Sequence, residues 1–213
     1  MIINETYARE LAGQLLEINA VVLRPNDPFT WSSGWNSPIY CDNRLTLRHP
    51  EIRNGIAAHF KEYIERQYPD IDVITGTATA GIPHSAWVAD QLNKPMAYVR
   101  AKAKAYGMGN QIEGGVAKGE STVVIEDLIS TGGSAISVLE ALQFVGADVQ
   151  AVLSIFTYGF DKAVERFAAV DVPVYSLTDY STLIEVAVEK GFVTENDLDV
   201  LSSWRTSPDT WAI

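Results

Sequence analysis

The chain has a single cysteine, Cys41, in 213 residues, so no internal disulfide can form. Basic residues are scarce: 16 lysines and arginines stand against 27 acids, giving a net charge of -11. Such a balance repels a polyanion unless the cations gather on one face, which argues against nucleic acid as a partner. The longest stretch without charge, residues 73–89, holds glycines, a proline, threonines and a histidine, where a membrane span needs nearly continuous apolar residues. The N-terminal MIINETYARE lacks the basic and apolar regions of a signal peptide, and with the lone cysteine it leads us to expect a cytoplasmic location. Histidines number three, His49, His59 and His84, at no metal-ligand spacing, so no protein-ligated metal site is expected. No repeat of fixed period is visible, which argues against a solenoid.

What is present fits one domain over residues 1–213, with a continuous core. From Asp72 onward, short β-branched runs (DVITG, MAYVR, STVVIE, VQAVLSIFT, VPVYSL) alternate with helix-like segments, the pattern of βαβ units and a parallel sheet. In one such segment, Thr131 to Val145, the residues Ile136, Leu139, Leu142 and Val145 recur at helical spacing, and Gly146 supplies a stop. Upstream, Asn4 to Ile18 and the segment opened by Pro50 (Ile52, Ile56, Phe60, Ile64) read as amphipathic helices. Between them FTWSSGWNSPIYCDNR reads as a β-hairpin or hood, part of a small N-terminal region of about residues 1–45. A cap at Thr194 and Asp197, followed by Leu198, Leu201 and Trp204, predicts a docked C-terminal helix with a structural role.

The most informative stretch is VVIEDLISTGGSA, residues 123–135. An apolar strand ends in Glu126 and Asp127, passes through Leu128 and Ile129, and gives way to Ser130-Thr131-Gly132-Gly133-Ser134 at a helix start. Glycines let the backbone approach a phosphate, unpaired helix amides donate to it, and the hydroxyls add donors. The carboxylates one turn earlier would sit beside a sugar, accepting from vicinal hydroxyls or facing positive charge on its ring. A generic strand-to-helix turn could also carry serine, threonine and glycine; the adjacent acids make this one more specific. No Walker lysine follows, which disfavours a P-loop nucleotidase. Gly107-Met108-Gly109 fails as a dinucleotide fingerprint, because Ile112 occupies the third glycine position.

A second small-residue turn, Thr77-Ala78-Thr79-Ala80-Gly81, follows strand DVITG. It suits another anion site, although Gly76 and Gly81 could simply punctuate a strand and a helix. Residues 100–115 hold Arg100, Lys102 and Lys104 with four glycines and no apolar periodicity. They read as a cationic lid that could close over a pyrophosphate leaving group and exclude water, or as a solvated basic loop.

The order of strand, acid pair and hydroxyl-glycine-glycine-hydroxyl turn resembles the type I phosphoribosyltransferases. FTxxSGxxSPIY, GTATAGIP, the Arg-x-Lys-x-Lys lid ending in GNQIEG, and VVIEDLISTGGS together resemble the bacterial orotate phosphoribosyltransferases over nearly the whole chain. That resemblance implies an α/β fold with a central five-stranded parallel sheet and a small hood, a magnesium-dependent reaction, and a homodimer whose lids reach into the partner's site. It implies that Thr77, Ala78 and Thr79 hold pyrophosphate, that Arg100, Lys102 and Lys104 contact it from the lid, and that Glu126 to Ser134 bind ribose 5-phosphate. Ser130 falls where the family touches orotate, while Tyr40, Cys41 and nearby Phe29 fall where some members set aromatics against the pyrimidine, with Thr30, Ser33 and Gly34 close in the hood. In two places the chain departs from the family. Tyr106 stands where a lid histidine is usual; with a reference pKa of about 10 it stays neutral near pH 7 but can donate a hydrogen bond. Ala80 stands where some members have lysine.

The expected reaction joins orotate to the ribose phosphate of phosphoribosyl pyrophosphate, with Arg100, Lys102, Lys104, Tyr106 and Asp127 as the catalytic candidates. Three other readings stay open: transfer to another base, a non-catalytic sensor of the donor, and an inactive paralogue suggested only by Tyr106. The acidic charge balance and the retained lid cations speak against the sensor.

Overall fold

The computed structural model describes residues 1–31, 34–101 and 111–211. Helix α1 (Glu5–Glu17) starts at Asn4, whose side chain accepts from the Tyr7 amide, and buries Tyr7, Leu11 and Leu15 as the spacing predicts. The hood follows as two antiparallel pairs. Strands β1 (Val21–Leu23) and β4 (Ile39–Cys41) form one; β2 (Phe29–Thr30) and β3 (Asn36–Ser37) form the other. A 3-10 helix, Asn43–Arg48, leads to α2 (Pro50–Gln67), where proline fills the first turn and Ile52, Ile56, Phe60 and Ile64 are all buried.

The five β-branched runs become five parallel strands. In chain order the elements are β5 (Val73–Thr77), α3 (Gly81–Leu92), β6 (Met96–Val99), β7 (Ile112–Glu113), β8 (Ser121–Ile129), α4 (Gly133–Phe144), β9 (Asp148–Thr157), α5 (Asp161–Val170), β10 (Val174–Asp179), α6 (Tyr180–Glu189) and α7 (Leu198–Thr206). The sheet runs β10-β9-β8-β5-β6-β7, parallel except for β7, which pairs antiparallel with β6 and extends the expected five strands to six. Val123 and Ile125 point into the core under α1, α2 and α6, and Val124 between them into the core under α4 and α5. Two covered faces explain why these strands read as continuous apolar runs.

Two helix readings shift. On α4 the buried face is Ala135, Val138, Leu139, Ala141 and Leu142, with Ile136 and Val145 only half-buried. Repeated steps of three residues drift round a helix of 3.6 residues per turn, so the 136/139/142/145 series leaves the face that the 135/138/139/142 series keeps. On α7, Leu201 and Trp204 are fully buried, but Leu198, at the joint with the preceding 3-10 turn, is exposed. The capping box of Thr194 and Asp197 forms as expected.

The order of the strands decides where ligands can bind. From β5 the chain moves outward to β6, then crosses back so that β8 lies on the other side of β5. The direction of winding therefore reverses between β5 and β8, and the loops leaving their carboxyl ends diverge to opposite faces of the sheet. In open α/β sheets such a divergence leaves a crevice.

Candidate active site

That crevice is a cleft of about 410 Å³ walled by the turn after β5 (Thr77 to Ala80) and by the end of β8 with its following turn (Glu126 to Ala135). Both walls end in a helix start that no side chain caps: Ala80 precedes α3 and Gly132 precedes α4. First-turn amides of both helices are therefore left with unspent donors at the cleft, each with the positive end of a helix dipole behind it.

The glycines have distinct reasons to be glycine. Gly132 sits at φ +78°, where a side chain is strained, and a Cβ there would lie 3.1 Å from Phe167. At Gly81 a Cβ would stand 2.5 Å from the main-chain oxygen of Ile125, so the absence of a side chain lets α3 close against β8. The Ala78–Thr79 peptide bond is cis, and the Ala78 amide donates to Val99 O at 2.9 Å.

The acid pair divides its work. Glu126 is 5 % exposed, and burial pushes its carboxyl well above the usual range, with the Asp127 side chain adding to the rise. Its Oε1 accepts from the Asp127 amide at 3.0 Å. Asp127, the other member of the pair, is only half-buried. The sequence suggested two equivalent carboxylates; the geometry separates them by burial, Glu126 buried and Asp127 half-buried, although both line the cleft. Asn43, from the 3-10 helix behind the hood, donates to Asp127 O at 2.7 Å and fixes the strand end.

A second cleft of about 550 Å³ opens beside the first, and the two share Leu128, Ser130 and Thr131. Its walls are flat and aromatic: Trp31, Trp35 and Tyr40 from the hood, and Tyr158 at the end of β9. Trp31 is held by its ring nitrogen, which donates to Ile39 O at 3.1 Å, and lies 5.4 Å from the Tyr158 ring. Cys41 lines the same cleft, its thiol pushed up by burial and by Asp127 and Asp42. A phosphate cradle joined to an aromatic slot can hold a phosphorylated sugar and a planar ring in contact.

Known proteins give this arrangement its context. A phosphoribosyl transferase domain model matches residues 46–179, which span the sheet and both cradle turns. The orotate phosphoribosyltransferase of Bacillus cytotoxicus is 57% identical over 94% of this chain and 95% of its own length. That of Bacillus subtilis is 56% identical over 97% of this chain and 96% of its own. The chain belongs to the orotate phosphoribosyltransferase family. A crystal structure of the Aeropyrum pernix orotate phosphoribosyltransferase superposes with a TM-score of 0.74 at 30% identity, covering 86% of this chain and 99% of that one.

As in a phosphoribosyltransferase site, the expected residues gather in one place, with exceptions. Thr77, Ala78, Thr79 and Glu126 to Ser134 line the first cleft; Tyr40, Cys41 and Ser130 line the second, with Thr30. Phe29 does not reach the wall. It stands behind Tyr40 at 5.7 Å between ring centres, with the Arg24 guanidinium over its face, because the β2–β3 pairing turns it away. Arg100 leaves β6 with its amide bonded to Gln111 O at 3.0 Å and its Nε 3.4 Å from Glu113 Oε1, so the two described ends of the expected lid stand side by side. Lys102, Lys104, Tyr106 and Ser33 lie outside the described residues.

Six residues at this candidate site were not singled out in the sequence, among them the hood tryptophans Trp31 and Trp35. Asn43 and Tyr158 come from segments that read as hood and core. Arg166 and Lys162 lie one turn apart on α5, and Arg166 Nη1 donates to Thr131 O at 2.8 Å. The spacing of two cations on a helix after β9 was the one available signal, and it resembles any solvated helix face.

Proposed function

We propose that this chain transfers the ribose 5-phosphate of phosphoribosyl pyrophosphate to orotate, giving orotidine 5'-monophosphate and pyrophosphate, a step in making pyrimidine nucleotides. The observation that carries the reading is the union of two clefts through Ser130 and Thr131, one lined by uncapped helix starts and the other by aromatic rings. Such a union supports the reading because a base in one cleft and a phosphorylated sugar in the other would meet at the shared residues.

The 5-phosphate sits on the amides and hydroxyls of Thr131 to Ser134, and the pyrophosphate on the turn Thr77 to Thr79. Asp127 accepts from the ribose hydroxyls and faces the positive charge that develops on the ring as the carbon–oxygen bond to pyrophosphate breaks and the carbon–nitrogen bond forms. Arg100, Lys102 and Lys104 close over the departing anion and exclude water, and Tyr106 contributes a hydrogen bond in place of a cation. Among the described residues no three His, Cys, Asp or Glu side chains converge, while Asp127 offers a hard oxygen beside the cradle. This donor set fits a hydrated magnesium that would be held mainly by substrate oxygens, with Asp127 as the carboxylate at hand. When bound, it neutralises charge on the leaving group.

In this reading the working unit is a cytoplasmic homodimer, with each lid completing its partner's site. No described helix is long and apolar enough to cross a membrane. Sedimentation of the purified chain checks the dimer. The reaction is checked by following orotate absorbance with phosphoribosyl pyrophosphate and magnesium, with adenine, hypoxanthine and uracil run in parallel by pyrophosphate release. Turnover of orotate alone is expected. Donor binding without turnover of any base would replace the enzyme with a sensor.

A further inference from the structure

The aromatic cleft is charged on one side only. Among its described lining residues none is acidic and one is basic: Lys162, on the first turn of α5. That lysine makes no hydrogen bond or ion pair with another described residue. Arg166, four residues on and therefore on the same helical face, is committed to Thr131 O, and Thr131 is itself a wall of the cleft. The bond from Arg166 thus sets the rotation of α5 and aims the face bearing Lys162 at the slot.

A flat slot with hydroxyls and a lone cation suits a planar ring that carries negative charge. Orotate differs from uracil by one carboxylate, and setting that group beside aromatic walls without a counter-charge is unfavourable. We infer that Lys162 is the specificity-determining residue of the base subsite, its ammonium pairing with the ring carboxylate of the acceptor. The inference rests on the proposed reaction and names the group that selects an acidic pyrimidine over a neutral one.

Steady-state kinetics of Lys162→Met and Lys162→Arg, with orotate and uracil as acceptors, test this. Losing a charge-assisted hydrogen bond raises the orotate KM by about tenfold or more. The KM for phosphoribosyl pyrophosphate stays unchanged, which also reports an intact fold, and the preference for orotate over uracil shrinks. Lys162→Arg, which keeps the charge, restores most of the orotate affinity. Orotate turnover by the natural chain with an unaltered orotate KM in Lys162→Met overturns the assignment of Lys162 alone. A natural chain that does not turn over orotate overturns the proposed reaction and this inference with it.

Discussion

The guanidinium of Arg166 reaches from α5 to the turn after β8, where its Nη1 donates to Thr131 O at 2.8 Å and lies 3.4 Å from Thr131 Oγ1. One side chain thereby ties the turn that starts α4 to α5 through its carbonyl. It also brings positive charge to a wall otherwise made of neutral residues and two acids. Arg166→Ala is expected to lower kcat/KM for phosphoribosyl pyrophosphate by about tenfold to a hundredfold, the worth of a charge-assisted hydrogen bond. The effect should appear mainly in the donor KM, with less change in the orotate KM. Equal losses for both substrates would mean that the arginine only supports the fold.

Glu126 carries a pH dependence whose sign can be worked out. Its folded carboxyl titrates above the ordinary 4.5 because it is buried next to Asp127. The folded chain therefore binds more protons than the unfolded one above that pH. Stability from the protonated group is present in full below 4.5 and is lost as pH rises toward the folded value. Within that window the slope approaches about 1.4 kcal/mol per pH unit. Urea midpoints of Glu126→Gln and the natural chain, compared from pH 4 to pH 8, should diverge, with the variant gaining as pH rises. Parallel curves would show that the carboxyl is ionised in the folded state.

Gly81 is where the two walls of the cradle touch. Gly81→Ala adds a methyl 2.5 Å from Ile125 O, and that oxygen belongs to a central strand that cannot retreat. Alanine is the better helix former by about 1 kcal/mol, yet overpacking against backbone costs about 1–3 kcal/mol. A net loss with a melting temperature lower by a few degrees is expected, at about 2–4 °C per kcal/mol for a domain of this size. A melting point that rises would mean that α3 can slide outward freely.

The sheet was legible because parallel strands covered on both faces must be apolar throughout, and five such runs stood out between helices. The turn after β8 was legible as a wall of the cleft because an uncapped helix start with glycines at 132 and 133 and hydroxyls around them is marked locally in sequence. Tyr158, Asn43, Lys162 and Arg166 were not legible. Each acts through a neighbour far away in sequence, Arg166 across to Thr131 and Asn43 across to Asp127, and a helix or strand residue shows no local mark of a contact that only the tertiary fold creates. Phe29 lies behind Tyr40 for a similar reason: which hood residues meet the cleft depends on how the hairpin docks, and Thr30 and Trp31 line it while Phe29 does not.

Docking of the hood depends on Trp204. The helix carrying it reads from sequence as a structural appendage, yet its indole nitrogen donates to Asn36 O at 3.1 Å, tying the C-terminal helix to β3. The ring is fully buried and meets Trp31 and Tyr158, two walls of the aromatic cleft, edge-on at 5.6 Å each. Trp204→Ala should lose about 3–5 kcal/mol of stability by the cavity it leaves. At a temperature where the variant is still folded, the loosened Trp31 should raise the orotate KM while the donor KM holds, because the phosphate cradle is built on β5 and β8. Trp204→Phe, which keeps most of the packing and loses the hydrogen bond to Asn36, should fall between the two. If both variants change stability but leave the orotate KM untouched, α7 supports the core and the hood wall stands without it.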